Sequence, residues 1–166
     1  MYCGIDNGLD GGIVLLDNVG GIYDALPMPT VKKGKGREVD VEKLDRLVSL
    51  ITKSPVNRFV VEEASKHSAG TLALCSTWFT YGSILAVLRC NQARFETVRP
   101  QQWQKAFWTR PKMAKGEKFD TKAAALHAAG RIWPSQDWTP TERARKPHDG
   151  MIDAALIAEY GRRNNF

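Results

Sequence analysis

A chain of 166 residues with 43% hydrophobic content is long enough to bury a core of its own and suits a single domain spanning 1–166. Its net charge of +6 favours an anionic partner such as nucleic acid. Three scattered cysteines without a CxxC pair argue against a disulfide framework or zinc site and for a reducing, cytoplasmic compartment; neither a membrane-spanning run nor a leader is expected.

The opening stretch, YCGIDNGLDGGIVLLD, sets two apolar runs around the turn Asn7-Gly8-Leu9-Asp10-Gly11-Gly12, which predicts a β-hairpin. Asp6 ends the first strand. A carboxylate there is costly unless something positive meets it, so it reads as a cation ligand or as a turn cap. Cys3, like Cys75 further on, has apolar neighbours and reads as core. Strands over 13–17 and 21–26 follow, and Pro27 and Pro29 break the sheet. The segment MPTVKKGKGREVD, with Lys32, Lys33, Lys35 and Arg37, predicts a mobile basic loop, either a solvated linker or a nucleic-acid contact. Asp40 caps a helix over 41–54 whose Val41, Leu44, Leu47, Val48 and Ile51 share one face; Pro55 and Asn57 end it.

Residues 58–63, RFVVEE, form an apolar strand that ends in two carboxylates. Two strands joined through a helix lie parallel in one sheet by the usual crossover, so Glu62 reaches the same sheet edge as Asp6. A loop over 64–70 carries Lys66 and His67 towards that edge. A helix over Thr71–Cys90 is apolar nearly all round, which makes it central to the core or shared with another subunit. A short strand over 95–98 precedes PQQWQKAFW, a brief helix with proline in its first turn. TRPKMAKGEKFDTK is a second basic loop, TKAAALHAAGRIW a helix stopped by Pro134, and 135–147 are polar and irregular. His67 and His127 read as bystanders, with core packing sufficient for His127.

The chain closes on HDGMIDAALIAEYGRR, where Ile152, Ala155, Leu156 and Ala158 give a packed helix face. Asp149 and Asp153, four apart, project from the same side of this helix. Like charges at that spacing oppose the helix by roughly 0.2–0.5 kcal/mol. Asp149 has an alternative as a cap; Asp153, inside an Ala/Ile/Leu helix, has none. Asp6, Glu62, Asp149 and Asp153 therefore form one set. Without metal such a set repels itself, whereas Mg²⁺ takes a few carboxylates and several waters, and Mn²⁺ substitutes for it. Two such ions about 3.5–4 Å apart would suit phosphodiester hydrolysis.

GIDNGLDGGIVLLD, VVEEAS, VRPQQWQK and HDGMIDAALIAEYGRR, in that order, resemble the four successive blocks of RuvC-type Holliday junction resolvases, and the compact length and divergent middle look most like phage or prophage versions. The resemblance implies an α/β, RNase H-like mixed five-stranded sheet with the first three strands antiparallel and helices on both faces. It further implies a Mg²⁺-dependent endonuclease acting as a homodimer on branched DNA, with Asp6, Glu62, Asp149 and Asp153 as the acids. The helix over Thr71–Cys90 becomes a dimer element, with Trp78, Phe79 and Tyr81 packing rather than stacking on bases. Lys105, Lys112, Lys115, Lys118 and Lys122 become candidates for phosphate contacts beside the first basic group. Many relatives place the last two acids three apart, and here that position is Gly150. Asp149, one step earlier, or His148 takes the role; Asp149 is favoured, with His148 assisting as an adjacent ligand or proton shuttle.

Three rivals remain. DNGLDGG superficially fits the phosphate turn of actin-like kinases, but the later phosphate and adenosine segments are missing, and no nucleotide cofactor is expected. A nuclease of broader flap or RNA-containing substrates would keep fold and metals. A non-catalytic junction-binding module would gain nothing from anions facing phosphate.

Overall fold

The computed structural model describes residues 1–53, 58–65, 70–114 and 116–166; Pro55, Asn57, Lys66, His67 and Lys115 lie outside them. In chain order the elements are β1 (Tyr2–Ile5), β2 (Gly12–Leu16), β3 (Ile22–Pro27), β4 (Thr30–Lys33), β5 (Gly36–Val39), α1 (Val41–Thr52), β6 (Arg58–Glu62), α2 (Thr71–Cys90), β7 (Arg94–Val98), α3 (Pro100–Phe107), α4 (Thr121–Ile132) and α5 (Asp149–Arg163). One five-stranded sheet runs in the order β3-β2-β1-β6-β7. β1, β2 and β3 are antiparallel neighbours, while β6 and β7 join β1 in parallel through helical crossovers. This is the mixed sheet expected from the sequence.

Alternation along the strands divides the core between the two faces. Val14, Leu16 and Val60 pack with α3, α4 and α5, whereas Ile13, Leu15, Phe59 and Val61 pack with α1 and α2. All five residues of β2 are buried, because helices cover both faces. The caps follow the sequence: Asp40 Oδ1 accepts from the Lys43 amide at 2.9 Å, and Asp120 Oδ1 from Ala123 at 3.0 Å. α5 lies directly on β1. A side chain at Gly4 would collide with the Ala154 carbonyl and with Ala158, so the closest helix–sheet approach needs glycine there.

Four expectations are corrected. The first basic segment is not a loop but the β4–β5 hairpin, a two-stranded sheet of its own. It turns at Gly34, whose φ of +56° lies in the left-handed region that favours glycine. Lys and Gly residues hide its alternation, because neither face of the hairpin is apolar enough to declare a period of two. Cys75 is exposed rather than core, since α2 buries only the side carrying Thr80, Ile84, Val87 and Leu88. His127 is likewise exposed, α4 burying Ala125, Ala128 and Ala129 instead. Finally, α2 is by length and composition apolar enough to cross a membrane, where no such run was expected. Its Ile84 and Leu88 nevertheless sit in the core against the sheet.

Candidate active site

The acidic set is assembled by register. β1 and β6 pair in parallel with Ile5 opposite Val61, so the next residues, Asp6 and Glu62, leave neighbouring strands side by side at their carboxyl ends. Asp6 takes the turn-capping role that its sequence allowed. Its Oδ1 accepts from the Gly8 amide at 3.1 Å and so shapes the turn, and the residue is half-buried. The Asp6 amide donates to the Gly12 carbonyl at 3.0 Å, closing the hairpin. Asn7, 4% exposed, donates from Nδ2 to the main-chain carbonyl of Glu62 at 2.6 Å and ties the two strand ends together.

α5 brings the third carboxylate. Burial pushes Asp153 up to about 8, with Asp6 and then Asp149 adding to it and Lys122 opposing. Burial also pushes Asp6 up to about 6. Glu62 is raised well above the ordinary carboxylate range by burial first, then by Asp6 and Asp153. Asp6, Glu62 and Asp153 thus share one low-dielectric region in which each charge disfavours the others.

Asp149 stands apart from these three. It is half-exposed and meets Lys122 Nζ at 2.6 Å. His148 is the helix cap: its Nδ1 accepts from the Met151 amide at 3.3 Å. The missing acid at 150 has a steric cause, because a Cβ there would run into the Asp10 carbonyl and the backbone of Gly11. Gly11 and Gly150 form an isolated parallel bridge, so the first turn of α5 rests on the turn that follows Asp6.

Sequence reasoning missed Trp103. Fully buried on α3, its Nε1 donates to Glu62 Oε1 at 2.9 Å. The only available signal was the placement of a donor-bearing aromatic shortly after the strand that pairs with β6. Among the predicted basic contacts, Lys122 turns to Asp149, Lys33 to Glu38, and Arg37 to Asp10 beside the Asp6 turn. Lys32, Lys35, Lys105, Lys112 and Lys118 are exposed.

Among the described residues, no three His, Cys, Asp or Glu side chains are gathered closely enough to enclose an ion as they stand. The donor chemistry nevertheless fits a hard divalent cation: three clustered carboxylates, all oxygen donors, in a region where burial and mutual repulsion make negative charge costly.

A five-stranded sheet of this order, with helices on both faces and acids at the carboxyl ends of its central strands, defines an RNase H-like fold. Solved RuvC structures share this fold. The structure of T. thermophilus RuvC in complex with a Holliday junction substrate matches with a TM-score of 0.60 at 16% identity, over 98% of this chain and 94% of that one. A second Thermus thermophilus RuvC structure matches with a TM-score of 0.58 at 18% identity, over 99% and 96%. No protein-family model and no curated protein matches the sequence.

Proposed function

We propose that this protein is a divalent-metal-dependent endodeoxyribonuclease that resolves four-way DNA junctions, acting as a homodimer in the cytoplasm of a bacterium, or of the host if phage-encoded. The observation that carries the reading is the trio Asp6, Glu62 and Asp153, half-buried side by side at the ends of β1 and β6 and the start of α5. Its support is the fold shared with a RuvC bound to a Holliday junction. Asp6, Glu62 and Asp153 would hold Mg²⁺ or Mn²⁺, and Asp149 would contribute after release from Lys122. A cation bound there supplies a Lewis acid for the scissile phosphate and lowers the pKa of a water.

The remaining work falls to the chain itself. Trp103 and Asn7 hold Glu62, the Gly8 amide holds Asp6, and the contact of Gly150 with Gly11 sets the depth at which α5 presents Asp153. Lys32 and Lys35 on the hairpin, and Lys105, Lys112 and Lys118 beyond it, supply phosphate contacts that give affinity without reading sequence. Leu72, Trp78 and Phe79 form an exposed apolar stretch on α2, which fits the subunit contact.

The test is cleavage of an end-labelled four-way junction in Mg²⁺ or Mn²⁺ beside matched duplex, flap and RNA–DNA hybrid substrates. Paired, symmetric nicks confined to the junction are expected, and Asp6→Asn and Asp153→Asn are each expected to abolish them while leaving junction binding intact. Equal or better cutting of flaps or hybrids would move the function to a broader nuclease. Tight junction binding without cutting would refute the nuclease reading, and full activity in either variant would refute the site.

A further inference from the structure

The environment of Glu62 is built from both sides, its main chain by the sheet and its carboxylate by α3. The main chain of Glu62 is fixed by sheet pairing, by Asn7 Nδ2, and by the next amide, Glu63 N, which donates to the Val98 carbonyl at 2.8 Å. None of this orients the carboxylate. That is left to α3. β7 pairs in parallel with β6, with Val98 opposite Glu62, and the chain turns at Arg99-Pro100 straight into the short helix. Three residues after Pro100, Trp103 lies 1% exposed with its Nε1 2.9 Å from Glu62 Oε1.

An indole N–H is a donor only, so it fixes which carboxylate oxygen it meets, and full burial removes competing water. Neighbouring tryptophans show what a packing role alone requires. Trp133 Nε1 donates to the Gly20 carbonyl at 2.7 Å, an ordinary backbone partner. Trp108 meets the Trp103 ring edge-on, with centroids 5.5 Å apart, and leaves its own buried Nε1 without a hydrogen-bond partner. Trp103, by contrast, spends its donor on a half-buried carboxylate that two other acids already disfavour. Glu62 Oε2 takes no hydrogen bond from the described residues.

We propose that Trp103 is a positioning residue of the active site: its buried indole N–H fixes Glu62 Oε1 and leaves Oε2 as the oxygen open to a divalent cation. The proposal rests on reading the acidic trio as a cation site. Groups that orient metal-binding side chains typically contribute about 10- to 100-fold to metal affinity or activity, and a Trp–carboxylate contact on a separate helix has that form.

The test needs Mn²⁺ or Mg²⁺ alone as the probe. Trp103→Phe keeps a buried ring but removes the donor. Calorimetric Mn²⁺ affinity is expected to fall about 10- to 100-fold, with kcat on a four-way junction reduced and KM for the DNA unchanged. Because the variant can misfold, wild-type protein carrying ¹⁵N-labelled tryptophan supplies a second readout. Of its five indole N–H signals, that of Trp103 is expected to move most when Mg²⁺ is added, and that of Trp133 to serve as the unmoved reference. A folded Trp103→Phe protein that binds Mn²⁺ as tightly as wild type, or a Trp103 signal indifferent to Mg²⁺ that does bind, overturns the proposal alone. Failure of the wild type to take up either cation overturns the metal reading, and the proposal with it.

Discussion

Raising the pH of the metal-free protein from about 5 to about 7 is expected to lower its stability substantially, and the carboxylate trio sets the size of the effect. A carboxyl whose pKa is higher in the folded than in the unfolded chain binds its proton more tightly when folded. Its contribution is therefore full below the unfolded pKa and lost as pH rises through the folded one. Asp6 goes from an ordinary 3.8 to about 6. Across this window it passes through its folded pKa and loses about one unit, or ~1.4 kcal/mol. Asp153 goes from 3.8 to about 8 and stays protonated in the fold while ionised in the unfolded chain, so it loses about two units, or ~3 kcal/mol. Glu62 acts in the same direction.

The two aspartates together amount to about 4 kcal/mol, which for a domain of this size is a fall in Tm of about 8–16 °C. Glu159, whose pKa is lowered, acts below the ordinary glutamate value and is silent in this window. The assay is thermal unfolding by circular dichroism in chelator-treated buffer, repeated with saturating Mg²⁺. The cation is expected to restore most of the loss at pH 7 and little at pH 5, where it competes with protons. Asp153→Asn is expected to remove its own share of the pH dependence, ~3 kcal/mol. A wild-type Tm that is flat or rising between these pH values, or an Asp153→Asn variant with the same slope, would refute the placement of these carboxylates in one partly desolvated cluster.

Gly150→Asp would create the three-residue spacing seen in many resolvases. Here it is expected to cost about 3 kcal/mol or more, since the new Cβ meets the Asp10 carbonyl and Gly11 backbone rather than open space; a wild-type urea midpoint would contradict this. Lys122→Ala removes an ion pair whose lysine is 72% exposed, so the stability change is expected to stay under about 1 kcal/mol. Freed of its ammonium partner, Asp149 is expected to bind Mn²⁺ more readily. Calorimetric Mn²⁺ affinity equal to or weaker than wild type would count against Asp149 as a ligand held in reserve.

The features legible in the sequence were those governed by period and connectivity. Asp6 and Glu62 were placed on one sheet edge by a strand–helix–strand rule that depends on chain direction alone, and α5 announced itself by apolar spacing. Three things were not legible, each because it depends on register or on close approach between distant segments. Trp103 in PQQWQKAFW reads as packing until β7 is known to lie beside β6. The reason for Gly150 is invisible until α5 is seen resting on the Asp6 turn. Lys122 is one of many lysines in a basic stretch, and nothing in its spacing distinguishes the one that reaches Asp149. The hairpin β4–β5 failed for a different reason: it buries so little that its strands carry no hydrophobic signal.

The chain itself shows how it treats a buried acid when stability is the only concern. Glu159 is 2% exposed, and its two oxygens are met by Arg162 Nε at 2.6 Å and Arg163 Nε at 2.8 Å, which hold its carboxyl below the usual range. Glu63, one residue beyond Glu62, is paired with Arg99, and Asp10, at the tip of the Asp6 turn, with Arg37. Among the described residues, Asp6, Glu62 and Asp153 have no such ion pair, although their immediate neighbours do and the chain carries 24 Lys and Arg residues. Leaving three half-buried acids without an ion pair where α5 rests on the carboxyl ends of β1 and β6 costs stability. On the proposed reading a cation from solution would offset that cost, whereas a lysine or arginine in the same place would satisfy the carboxylates permanently.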